Sequence, residues 1–175
     1  PRIKSAYIER HGDESKVLVD KNLYNYYWIP LIRKIFPRAV IIEITRDRYS
    51  HYWSIFKNYF TVGNGFGQSL LWIDEFYEWY KEMMDAWKRN GSSEILEVSY
   101  DNLVESPISN VQEILRLCNL EWEDSCMLFE KSLTPVRTAS AHQVRQPISK
   151  PQSEATTYYK KQIIKTLQSL KRTRA

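Results

Sequence analysis

Apolar positions along this chain follow two different periods, and the switches between them outline its elements. Residues 1–15 are polar and compatible with a helix, and Lys16-Val17-Leu18-Val19-Asp20 has the short β-branched character of a buried strand. Asn22 is suited to cap a helix running through Ile35, with Pro30 as a kink and Pro37 as its end. Residues 39–44 form a second apolar, β-branched strand, and Asp47 to Phe60 the helix that follows it. Gly63-Asn64-Gly65-Phe66-Gly67 marks a flexible loop. From Leu70 to Arg89 the apolar set Leu71, Ile73, Phe76, Trp79, Tyr80, Met83, Met84 and Trp87 recurs mostly at three and four residues, the spacing of a long amphipathic helix. Glu94-Ile95-Leu96-Glu97-Val98 is a third strand. Asp101 to Glu105 then turn into a helix that Pro107 starts and that runs to Leu117. A short helix over 123–131, an irregular segment to about 153 and a final helix from Glu154 complete the chain. The basic end 171–175 is expected to be disordered.

Strands separated by helices, with no tight hairpin between them, imply a parallel sheet covered by helices: an α/β class, in one domain over 1–175. Composition adds modest constraints. The balance of 25 Lys+Arg against 21 Asp+Glu fits an anionic small ligand and falls well short of a surface that coats nucleic acid. The 12 Tyr and 6 Trp imply a core filled largely by flat rings. Cys118 and Cys126 fall within helical patterns and are expected to be small buried apolar residues, since two cysteines make no secreted-type framework. No apolar run approaches the roughly 18 residues of a membrane span, and no signal peptide opens the chain. The weak lean of these features is towards a soluble protein of the cytoplasm.

The candidate chemistry concentrates where strands end. The run Val40-Ile41-Ile42-Glu43-Ile44-Thr45 stops at Arg46, a helix starts at once, and Ser54 lies eight residues after the arginine. A strand tip, a guanidinium and a helix N-terminus together suit a phosphate group. The alternative is an arginine paired with a surface carboxylate and an ordinary helical serine. Asp47 is placed to cap the helix. Tyr100, just past the third strand, lies at the carboxyl edge where open α/β sheets bind ligands; it either meets a base or covers the strand end as a core aromatic. Lys21 follows the first strand and is suited to stabilise charge on a transferring group, or is a solvated turn residue. Segment 136–148, with Arg137, Thr138, Ser140, Gln143 and Arg145, lacks helical or strand period, and its Val136, Val144 and Ile148 suit an ordered functional loop. Gly63, Gly65 and Gly67 follow a helix, not a strand, and precede no Lys-Ser or Lys-Thr pair, so they suit a lid better than a phosphate loop. His11, His51 and His142 have no Cys or carboxylate at metal-ligand spacing, and no metal is expected; of the three, His142 invites attention.

Taken in order, Asp20-Lys21-Asn22, Phe36-Pro37, Thr45-Arg46-Asp47 with Ser54, Ile95 to Val104, Val136-Arg137-Thr138-Ala139-Ser140 and Gln143 to Ile148 resemble the sulfotransferase superfamily. The branch most similar is the one often fused to tetratricopeptide repeats and related to the tyrosylprotein sulfotransferases, so such repeats are an expected upstream neighbour. The resemblance implies the P-loop-NTPase-like sulfotransferase fold and transfer of a sulfuryl group from 3′-phosphoadenosine 5′-phosphosulfate to an acceptor hydroxyl of a protein, glycan or lipid. It implies that Arg46 and Ser54 hold the donor's 3′-phosphate with Arg145 closing from the other side, and that Tyr100 contacts the adenine. Arg137, Thr138, Ser140 and Gln143 would line the donor, and Lys21 would steady the bridging oxygen. No metal, nucleic acid or membrane span is implied. The chain departs from the pattern in three ways. The glycine-rich 5′-phosphosulfate loop and the usual catalytic base are not found, as if this were the carboxyl-terminal two-thirds of a domain truncated at its N-terminus, a fragment inactive alone. Leu23 stands where many relatives carry proline, and no Gly-Arg-Trp appears around Glu154-Ala155-Thr156.

Two other functions fit parts of this pattern. A non-catalytic nucleotide-binding or protein-interaction domain would keep the fold without the chemistry. A kinase-like phosphoryl transferase would need a strand-end aspartate for magnesium, which is not evident here.

Overall fold

The computed structural model describes residues 2–12, 17–58, 64–90, 95–128 and 153–174. In chain order the elements are α1 (Arg2–His11), α2 (Ile29–Ile35), β1 (Ile41–Thr45), α3 (Arg48–Phe56), α4 (Leu70–Arg89), β2 (Ile95–Ser99), α5 (Tyr100–Glu105), α6 (Pro107–Leu117) and α7 (Ser153–Arg174), with short 3₁₀ turns at Asn25–Trp28, Gly65–Gln68 and Asp124–Met127. β1 and β2 pair in parallel as a two-stranded sheet flanked by helices, the α/β arrangement expected. Contacts divide the chain into two compact units: Pro1–Ile41 with Glu78–Leu96, and Ile42–Tyr77 with Glu97–Ala175.

The first unit is held by aromatic rings. Tyr26 and Ile29 are buried, and so is Met84 on α4. The Tyr26 ring stacks on Tyr27 at 4.3 Å and meets Tyr80 edge-on at 5.1 Å, while Trp87 Nε1 donates to the Tyr26 carbonyl at 2.9 Å. Such pairs add about 0.5–1.5 kcal/mol beyond the area they bury. Three expectations fail here. Residues 17–20 form no strand: Val17, Leu18 and Val19 are exposed on irregular backbone. An apolar triplet without a pairing neighbour gains nothing from extended geometry, because sheet stability comes from cross-strand partners. The helix expected from Asn22 is interrupted, since the Asn22 side chain accepts from the Tyr24 amide and closes a turn. Pro30 accordingly sits in the first turn of α2, where its missing N–H is harmless, and kinks nothing.

The second unit contains the main core. Tyr52 of α3, Ile73 of α4, and Ile163 and Leu167 of α7 are buried together, with Tyr49, Trp53, Ile55, Phe66, Leu70 and Tyr77 packed around them. Asp74, one residue from Ile73, is buried as well and fully partnered. It accepts from Arg48 at 2.6 Å, from the Tyr52 hydroxyl at 2.9 Å and from Lys171 at 2.5 Å, tying α3, α4 and α7 to one carboxylate. Lys171 and Arg174, expected in a disordered tail, are the last turns of α7; Arg174 pairs with Glu75. The tail is ordered because its cations have acidic partners on α4. Pro107 opens α6 as expected, and Asn119 closes it at φ 54°, with Leu120 N–H donating to the Leu115 carbonyl at 2.9 Å in a Schellman-type stop. Cys118 and Cys126 are free thiols, each half-buried.

Candidate functional site

The parallel pairing of β1 and β2 places their carboxyl ends at one edge of the sheet, each followed directly by a helix. Arg46 leaves the end of β1 and Tyr100 the end of β2. Their side chains meet: the Arg46 guanidinium lies over the Tyr100 ring, 4.9 Å from its centroid. A cation stacked on an aromatic face keeps its in-plane N–H groups available to an anion at its rim. Arg46 Nε is buried and has no hydrogen-bond partner among the described residues. A buried guanidinium nitrogen without an acceptor is costly, and a phosphate oxygen is the acceptor its geometry suits best. The surface carboxylate of the alternative reading is not found among the described residues.

The start of α3 is built to hold this edge still. Asp47 is the N-cap, its Oδ1 accepting from the Ser50 amide and hydroxyl, each at 2.9 Å. Its Oδ2 accepts from Lys160 of α7 at 2.8 Å. Burial would raise the Asp47 carboxyl, but the hydrogen bonds from Lys160 and Ser50 outweigh it and hold its pKa below the ordinary value. Asp47 and Ser50 are thereby satisfied within the protein. Trp53 stacks on Tyr159 of α7 at 3.8 Å, which fixes the rotation of α3 against its neighbour. Ser54 lies one turn beyond Ser50 on the polar face, half-buried, with its carbonyl accepting from Asn58 at 2.6 Å.

Of the residues singled out from the sequence, the structure brings Arg46 and Tyr100 into contact and sets Ser54 on the helix that Arg46 introduces. Lys21 is exposed on irregular backbone in the first unit, since the strand expected before it is absent. Arg137, Thr138, Ser140, Gln143 and Arg145 lie outside the described residues, as does His142. Two residues escaped the sequence reading. Asp74 looked like one more polar position on an amphipathic helix; its adjacency to Ile73, on the buried face, was the available signal. His51 was weighed only as a metal ligand, although it precedes Ser54 by three residues and so shares its helix face. Among the described residues no cluster of His, Cys, Asp or Glu is arranged to hold a metal.

The family model described as "Sulfotransferase family" matches residues 1–124. The chain belongs to the sulfotransferase family. An uncharacterized protein of Aquifex aeolicus is 30% identical over 96% of this chain and 23% of its own length. A putative protein-tyrosine sulfotransferase of Caenorhabditis elegans is 28% identical over 64% of this chain and 42% of its own. Protein-tyrosine sulfotransferase 1 of Danio rerio is 25% identical over 71% of this chain and 35% of its own. The chain thus spans less than half the length of each of these relatives. Both motifs at the sheet edge, Arg46 with Ser54 and Tyr100, fall inside the region matched to the family. No helix among the described residues is long and apolar enough to cross a membrane.

Proposed function

We propose that the protein transfers a sulfuryl group from 3′-phosphoadenosine 5′-phosphosulfate to an acceptor hydroxyl, and that this chain holds the 3′-phosphate and adenine side of the donor. The observation that carries the proposal is the half-buried Arg46 at the carboxyl edge, its guanidinium backed by Tyr100 and its buried Nε without an acceptor among the described residues. The donor supplies an activated sulfuryl group on its phosphosulfate anhydride. Arg46 and Ser54 bind the 3′-phosphate and so fix the nucleotide's register, while Tyr100 gives the adenine an aromatic neighbour. Sulfuryl transfer is in-line with dispersed charge, so such positioning contributes much of the rate. Arg145 is proposed to close on the 3′-phosphate from the other side, and Arg137, Thr138, Ser140 and Gln143 to line the donor. Lys21 is proposed to stabilise charge on the bridging oxygen. Among protein, glycan and lipid hydroxyls, the tyrosine phenol is favoured by the names of three relatives.

The test is the affinity of the chain for adenosine 3′,5′-bisphosphate and its loss on substitution. Arg46→Ala should weaken binding roughly tenfold or more, since hydrogen bonds from a charged donor to phosphate are the strong ones. Ser54→Ala should weaken it less, by about the factor of a single hydrogen bond. Unchanged affinity in the Arg46 variant would sink the assignment.

A further inference from the structure

The polar face of α3 carries Asp47, Ser50, His51 and Ser54 at helical spacing, with Arg46 just before it. Asp47 and Ser50 are engaged with each other and with Lys160. His51 therefore shares a helix face with Ser54, one turn before it, and is within electrostatic reach of Arg46. Its ring is half-buried against Tyr77 of α4, with centroids 6.1 Å apart. The charged groups around it are accounted for. On α4, Asp74 is neutralised by Arg48 and Lys171, and Arg48 itself covers the Tyr77 ring at 5.0 Å. On α7, Lys160 is spent on Asp47. Tyr100, from β2–α5, lies against Arg46. The cation that acts on His51 is Arg46.

We infer that His51 is a third ligand of the phosphate held by Arg46 and Ser54, and that it takes a proton from solvent when the phosphate dianion binds. The inference rests on the proposed role of Arg46 and Ser54. Without an anion, burial first and the Arg46 charge second disfavour the imidazolium, and the pKa of His51 lies below its ordinary value. A bound dianion reverses the second cause: it cancels the guanidinium and leaves net negative charge beside the ring. The proton then goes to an imidazole nitrogen, which becomes a second charge-assisted donor to the phosphate. A base whose pKa is higher in the complex than in the free protein strengthens binding below the bound pKa. That gain is lost as pH rises through it. Affinity for a 3′-phosphate should thus fall from neutral to alkaline pH, by up to about tenfold for each unit by which the ligand raises the pKa. Above pH 7 the phosphate is itself largely dianionic, its second pKa being about 6, so the change belongs to the protein.

The experiment is calorimetric titration of the chain with adenosine 3′,5′-bisphosphate between pH 7 and pH 8.5, in buffers of different ionisation enthalpy. The wild type should take up protons on binding. His51→Gln should bind several-fold more weakly at pH 7, with no uptake and a flat profile. Binding by the wild type without uptake, unchanged in His51→Gln, would overturn the inference and leave the function proposed above standing. No binding by the wild type would overturn both. The wild type offers an independent readout, because the His51 ring resonance should move to its protonated position when the bisphosphate is added at pH 7. A resonance that stays in place while the nucleotide binds contradicts the proposal.

Discussion

The two units are stabilised by different means. In the second, one buried carboxylate collects an arginine, a tyrosine hydroxyl and a lysine from two helices around it, and the N-cap of α3 is tied by a lysine more than a hundred residues away. In the first, rings stack on rings, with the Tyr7 hydroxyl donating to Asp20 at 2.6 Å and Trp87 to the Tyr26 carbonyl at 2.9 Å. Ring stacking is tolerant of small displacements, whereas a carboxylate shared among three donors is not. The same unit carries Arg46 and Tyr100 at the carboxyl edge of the sheet.

The largest effect should come from breaking the carboxylate hub. Asp74→Ala takes the acceptor from the buried Tyr52 hydroxyl and a counter-charge from the partly exposed Arg48 and Lys171, and should destabilise the second unit by about 2–3 kcal/mol, measured by chemical denaturation. A loss below about 1 kcal/mol would mean that the network only decorates an apolar core. Tyr26→Leu keeps the bulk of an apolar side chain in the first unit but removes both ring contacts, and about 1–3 kcal/mol is expected there. Asp47→Ala removes a cap and its lysine partner, for about 0.5–2 kcal/mol, with weakened bisphosphate binding as the second readout because α3 is freed to shift. Val19→Ser, at an 83% exposed position, should change stability by no more than about 0.5 kcal/mol.

Proton linkage sharpens the same contrast. The Asp74 carboxyl is raised by burial but more strongly lowered by Lys171, Tyr52 and Arg48, and its pKa ends below the ordinary value, as does that of Asp47. A depressed carboxylate stabilises the fold above its unfolded pKa of about 3.9, and the contribution is lost as pH falls through the folded value. His51 acts earlier. Its depressed pKa means the folded state resists protonation, so stability should begin to fall as pH drops below about 6.5. His51→Gln should remove that first decline and leave the acid transition of the carboxylates intact. Denaturation midpoints followed from pH 8 to pH 3 separate the two.

Much of the frame was legible in the sequence because it rests on local rules. The strand ending at Thr45, the Asp47 cap, the long helix Leu70–Arg89 and the helix opened by Pro107 each follow from period, cap or proline placement within one window. Residues 17–20 were misread because an isolated β-branched run looks the same whether or not a neighbouring strand exists to pair with it. The tail was misread because its order depends on Asp74 and Glu75, about a hundred residues distant. At the candidate site, Arg46 and Tyr100 were visible as strand-end residues and Ser54 by its spacing from Arg46. His51 was not, because a lone histidine gains meaning only beside the arginine that perturbs it.

The central claim is that the edge at Arg46 recognises a 3′-phosphate. Titration calorimetry with adenosine 3′,5′-bisphosphate beside adenosine 5′-monophosphate tests it most directly, since the two nucleotides differ only by that group. The account predicts clear binding of the bisphosphate and little or none of the monophosphate. Equal affinities for the two, or binding of neither, would contradict it.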